Sequence, residues 1–192
     1  RAIRAARRYA ARSARMRAAH GLFRLMRRQG NEAGAAEFAR AAQRLWEPGT
    51  AGGPELLLDL ARYWTDHAQP ARARAALRRL GPSLHDLDPA GLLGVLALAA
   101  RARAEGGHPS RGAHMARAAW PMMGDRAIPD DVRFAAALDL AHAARLAGDL
   151  VQFTRATRVV LRFAPQAEFP AVAREMARMW PKGAATVFDR AS

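Results

Sequence analysis

The sequence predicts an all-α protein: about four αα-hairpins stacked as a solenoid, followed by a C-terminal helix. Three observations carry this. Alanine supplies 48 of the 192 residues, against 2 Tyr and 7 Phe, which favours helices packed at close approach. Strand-like alternation of β-branched residues is nearly absent. Hairpin turns fall at Gly30, Gln69, Gly107 and Gly148, spaced by 39, 38 and 41 residues, and a period of this size is a repeat signal.

The hairpin from Asp131 to Pro165 shows the plan most clearly. Its first helix has Phe134, Ala137, Leu138, Ala141 and Ala144 at helical spacing. Gly148-Asp149 ends that helix and caps the next, because Gly accepts the left-handed end and Asp binds free N–H groups. The second helix has Leu150, Phe153, Thr157, Val160, Leu161 and Ala164 on one face, and Pro165 closes it. Such a hairpin cannot bury both faces alone, so it calls for neighbours like itself.

The chain is expected to begin with one long helix, Arg1 to Arg28, with Ala5, Tyr9, Met16, His20 and Phe23 on a narrow arc. Gly30-Asn31 turns into an amphipathic helix, Glu32 to Trp46, with Ala35, Phe38, Ala39, Ala42 and Leu45 inward. A loop over 47–53 leads to Pro54, suited to the first turn of a third helix. That helix carries Leu57, Leu60, Ala61 and Trp64. Gln69-Pro70 starts a short helix stopped at Gly81-Pro82. Asp88-Pro89 opens the next, which is apolar nearly all round from Leu92 to Ala100, so this helix, with Leu96 in it, is expected at the middle of the core. After Gly106-Gly107 its partner runs from Pro109 to Trp120. The last helix, Phe169 to Trp180, ends at Pro181-Lys182-Gly183.

Charge divides the chain. Residues 1–50 carry twelve Arg and three acids, whereas residues 51–150 carry twelve Arg and eleven acids. Most of the net +14 therefore belongs to the N-terminal quarter. There Arg1, Arg4, Arg8, Arg12 and Arg15 form a stripe with no acid before Glu32. The stripe is a candidate contact for an anionic partner such as a membrane surface, with nucleic acid less favoured because no aromatic reader accompanies it. The chain has no Cys, which excludes disulfides, thiolate metal sites and cysteine nucleophiles. No stretch is apolar enough to span a bilayer, the longest uncharged run being Pro89 to Ala100. A cytoplasmic location is expected, with membrane association through a segment upstream of Arg1 or a periplasmic location as alternatives.

Catalytic chemistry finds no support in the sequence. The six His form no HExxH or i,i+4 pair. Asp130-Asp131 sits in a first helical turn, where negative charge complements the helix end. There is no GxSxG, GxxxxGK[ST] or GxGxxG motif. The four Trp lie on apolar helix faces, which suits packing. No enzyme activity, catalytic residue, metal, cofactor or small-molecule substrate is expected.

The hairpins resemble tetratricopeptide repeats in a loose and lengthened form. The first unit offers Leu22, Gly30, Ala35, Ala42 and Pro48. The third offers Leu96, Ala100, Gly107, Gly112 and Ala119, and the fourth Leu140, Ala141, Gly148 and Pro165. The second departs, with Gln69 in place of the turn glycine. The resemblance implies a right-handed superhelix over residues 17–180, with a basic N-terminal extension at 1–16 and a tail at 181–192. It implies a concave groove lined by first helices that binds a protein partner. By helical spacing from the turns, the groove carries Arg17, His20, Arg24 and Arg28, then Asp59, Tyr63 and Asp66, then Arg101 and Glu105, then His142 and Arg145. An acidic segment or a C-terminal carboxylate would dock at its basic end. The expected role is a scaffold in a larger bacterial complex. Alternatives are a nucleic-acid or anionic-membrane module, or, from a second resemblance to the superhelical region of soluble lytic transglycosylases, a non-catalytic part of a larger enzyme.

Overall fold

The computed structural model describes residues 2–179, with side chains described from residue 7 onward. Among the described residues all regular structure is helical. These residues form nine α-helices: α1 (Ala2–Arg28), α2 (Glu32–Leu45), α3 (Gly53–Asp66), α4 (Pro70–Leu80), α5 (Pro89–Glu105), α6 (Pro109–Ala119), α7 (Asp130–Leu146), α8 (Leu150–Phe163) and α9 (Phe169–Met179). Short 3₁₀ segments, Gly81–Asp86 and Trp120–Gly124, follow α4 and α6. Both start where a Pro removes an N–H donor from the continuing helix. The expected last helix residue Trp180, the Pro181 stop and the tail at 181–192 lie outside the described residues.

The chain divides into two compact units, residues 1–60 and 61–192, and the division falls within α3. In the first unit α1 packs on α2, and α1 runs unbroken through residues 16 and 17. Met16 and Phe23 are buried, as the apolar arc predicts, while Tyr9 stands 43% exposed and His20 is half-buried. Buried Ala35, Ala39 and Ala42 line α2. At Gly34 an added Cβ would meet Met26 Sδ at 2.9 Å, so the two helices approach closely there.

In the second unit α5 packs against α4, α6 and α7, α7 packs against α8, and α8 against α9. One apolar core joins Leu93, Ala97 and Ala100 of α5, Ala116 and Ala119 of α6, Leu140 and Ala144 of α7, and Phe153 and Val160 of α8. Small residues make this packing close. A Cβ at Gly112 would lie 2.7 Å from the Ala100 carbonyl oxygen. α5 is central, as expected, but Leu96 on it is only half-buried, whereas Leu93 and Leu98 are fully buried. With apolar residues on every side of α5, periodicity could not tell the inner side from the outer; the neighbours decide it.

Four inter-helix turns share one backbone closure. At each, the residue after the turn donates its N–H to a carbonyl five positions back: Asn31 to Met26 at 2.9 Å, Gln69 to Trp64 at 2.8 Å, His108 to Arg103 at 3.0 Å and Asp149 to Ala144 at 3.0 Å. This is the Schellman closure, which requires one left-handed residue. Gly30, Gly107 and Gly148 supply it with φ of 68°, 82° and 68°. In the second turn the position falls to Ala68, at φ 53°, and not to Gln69 as the sequence suggests. Gln69 is instead the cap residue of α4, without a side-chain hydrogen bond.

Candidate functional site

In the second unit, three helices bring their charged residues together. Arg101 sits near the end of α5, and its Nη1 donates to Asp139 Oδ1 of α7 at 3.1 Å and to Asp66 Oδ1 of α3 at 3.3 Å. Its Nε donates to Glu105 Oε1, one turn on, at 2.8 Å. Arg62 of α3 reaches Asp139 Oδ2 at 3.7 Å. The predicted residues Asp66, Arg101 and Glu105 therefore meet. Arg62 and Asp139 were missed. Asp139 is only 4% exposed, and its signal was present: one acid inside the apolar run from Ala135 to Ala141.

The electrostatics follow from burial and from these partners. Burial pushes the Asp139 carboxyl above its ordinary value, against the pull of Arg62 and Arg101. Burial works against the Arg101 charge too, but the Asp139 and Glu105 carboxylates outweigh it and raise the guanidinium above its usual range. His142, one turn after Asp139, is lowered to about 4, first by burial and then by the charges of Arg101 and Arg145. His142 is thus a neutral ring near neutral pH. Arg145 itself is exposed. Glu105 Oε2 and Asp139 Oδ2 are buried with no hydrogen-bond donor among the described residues.

Tyr63, expected on the same face, is buried at 2% exposure and packs edge-on to Trp64 with ring centres 4.8 Å apart. It does not line a groove. Trp64 and Trp120 are buried, with the guanidiniums of Arg72 and Arg155 over their faces at 4.8 Å and 4.4 Å.

In the first unit the predicted residues form a separate group. His20 Nε2 lies 2.8 Å from Asp59 Oδ2, and Arg24 Nε lies 3.6 Å from the same oxygen. Arg24, Arg27, Arg28 and Asp59 line a cavity of about 300 Å³. Arg17 turns away to donate to Ser13 Oγ at 2.9 Å. Of the N-terminal stripe, Arg8 and Arg15 are exposed. Arg12 is engaged: it pairs with Glu47 at 2.7 Å and donates to the Leu45 and Arg44 carbonyls, so it caps the C-terminal end of α2. Arg1 and the side chain of Arg4 lie outside the described residues.

Among the described residues no group of His, Asp and Glu is set to hold a metal ion, and no helix is long and apolar enough to cross a membrane. Asp130 pairs with Arg133 at 2.8 Å in the first turn of α7. No protein-family model, curated protein or solved structure matches the chain.

Proposed function

We propose that the protein is a non-enzymatic scaffold: a divergent repeat solenoid of the tetratricopeptide type, whose first helices present a face to a protein partner in a larger complex. The observation that carries this is the meeting of Asp66, Arg101 and Asp139. They come from α3, α5 and α7, which are the first helices of successive hairpins. Helices stacked in register on one side would bring such residues together. The recurrent turn closure supports the same reading. The partner is an acidic segment, held through paired hydrogen bonds from exposed Arg side chains such as Arg24 and Arg28. The exposed Arg8 and Arg15 favour a second reading, attraction to an anionic membrane surface.

Fluorescence anisotropy of the full chain tests both. The probes are an acidic peptide, the same peptide amidated at its C-terminus, and random single-stranded DNA, with anionic vesicles as a sedimentation partner. The scaffold reading expects peptide binding that Arg24→Glu with Arg28→Glu weakens at least tenfold at unchanged helicity. Peptide binding that survives this change but is lost with Arg8→Glu and Arg15→Glu would move the contact to the stripe. DNA binding tighter than peptide binding at physiological salt would sink the reading.

A further inference from the structure

A second feature of the second unit lies on the other side of α5. Ala99 and Arg101 are about 200° apart around the helix, so the side carrying Ala99 faces away from the Arg101 cluster. There α4, α5, α6 and the 3₁₀ segment after α4 enclose a cavity of about 480 Å³. Its apolar lining comes from Leu77, Leu84, Val95, Leu96, Ala99 and Met115. The polar lining is entirely basic or neutral: Arg74, Arg78, Arg103, Arg111 and His108, with no acid. A smaller neighbouring cavity, about 360 Å³, shares Arg103, Arg111 and Met115 and adds Ser110 and His114.

The four arginines are not equivalent. Arg74 is held in place, lying against Gly106 and donating from Nη1 to the Ala102 carbonyl at 3.3 Å. Arg78, Arg103 and Arg111 have no hydrogen-bond or ion-pair partner among the described residues. Arg78 and Arg111 are exposed and Arg103 is half-buried, so three guanidiniums without a protein partner offer fork-shaped donors at the rim of an apolar hollow. A multiply charged oxyanion supplies what they lack, since a phosphate matches the guanidinium fork with paired hydrogen bonds. The size is that of a small-molecule site, and such sites are mostly apolar with a few placed polar groups.

We propose that this cavity binds an anionic amphiphile: an acyl or alkyl chain on the hollow formed by Leu77, Leu96, Ala99 and Met115, with a phosphate-type headgroup between Arg103 and Arg111. The assignment rests on the cavity and its charges and stands independently of the scaffold reading. Chain and headgroup contribute together, so neither alone binds well.

Isothermal titration of the full chain tests it with three probes below their micelle concentrations: dodecyl phosphate, dodecyl maltoside and inorganic phosphate. Dodecyl phosphate is expected to bind one per chain, at least tenfold tighter than either of the others. Arg103→Gln with Arg111→Gln should weaken it at least tenfold and remove most of its salt dependence. Ala99→Phe, which fills the hollow and leaves every arginine in place, should weaken it by a similar factor. Circular dichroism checks that both variants fold. Equal binding of inorganic phosphate would reduce the site to a charged patch. Equal binding of dodecyl maltoside would reduce it to an apolar hollow. Binding of dodecyl phosphate unaffected by either variant would place the amphiphile elsewhere. An acidic amphipathic peptide that binds with the same variant losses, where dodecyl phosphate does not bind, would give the cavity to a protein. Each of these four outcomes overturns the proposal.

Discussion

The Arg101 guanidinium stands 3.1 Å from the Asp139 carboxylate and so ties α5 to α7 with a charged bond at the edge of the core. Truncating one partner strands the other. Arg101→Met leaves Asp139 and Glu105 without their main donor and should cost about 3–5 kcal/mol, the range for breaking a buried pair. Adding Asp139→Leu should return at least half of that loss, because two apolar groups then replace two charges. Urea unfolding of the two single variants and the double variant measures both. An undiminished loss in the double variant would show that the bond is not what Arg101→Met removes.

His142 makes stability depend on acid. Its folded value is about 4 against an ordinary 6.5, so between these the unfolded chain binds more protons. This contribution is therefore fully present above pH 6.5 and is lost as pH falls through 4. The full shift corresponds to about 3 kcal/mol, and solvent screening of the half-buried ring reduces it to roughly 2 kcal/mol. Unfolding free energies at pH 7 and pH 4 should differ less in His142→Gln by that amount. Equal slopes in the two proteins would refute the assignment.

Ala68 occupies a left-handed position at φ 53°. For a residue with a Cβ this conformation costs about 1–2 kcal/mol, and glycine gives back about 0.4–1 kcal/mol in unfolded-chain entropy. Ala68→Gly should therefore stabilise the protein by about 0.5–1 kcal/mol. A thermal midpoint unchanged or lowered would mean that the turn relaxes with alanine in place.

Two leucines three residues apart on α5 should separate cleanly. Leu93 is fully buried in the core, whereas Leu96 is half-buried beside the cavity. Leu93→Ala should cost about 2–5 kcal/mol and Leu96→Ala about 1 kcal/mol. Chemical denaturation of the two variants gives the comparison, and equal costs would contradict the observed packing of α5.

These residues also mark what could be read before the fold was seen. Helix ends were legible because Pro70, Pro89 and Pro109 and the glycines at 30, 107 and 148 act locally. The meeting of Asp66, Arg101 and Glu105 was legible as a shared face, since helical spacing from the turns puts them on corresponding sides. What was not legible depends on neighbours. Asp139 is drawn inward by Arg62 and Arg101, each at least 38 residues away in the chain. Leu93 and Leu96 read alike in a helix apolar on every side, and only the packing around α5 buries one fully and leaves the other beside a cavity. Arg12 reads as one member of a basic stripe until the end of α2 is brought to it.

The turn closures have a further consequence. Each is made between backbone groups and asks for just one thing, a residue tolerant of the left-handed conformation. The flanking side chains differ freely: Asn31 and Asp149 accept a hydrogen bond from the following helix, whereas Gln69 and His108 do not. Any pair of helices whose connection offers one such residue can close in this way, whatever side chains flank it. The fastening therefore dictates a single letter at each bend and leaves the rest of the connection free to serve capping, charge or packing.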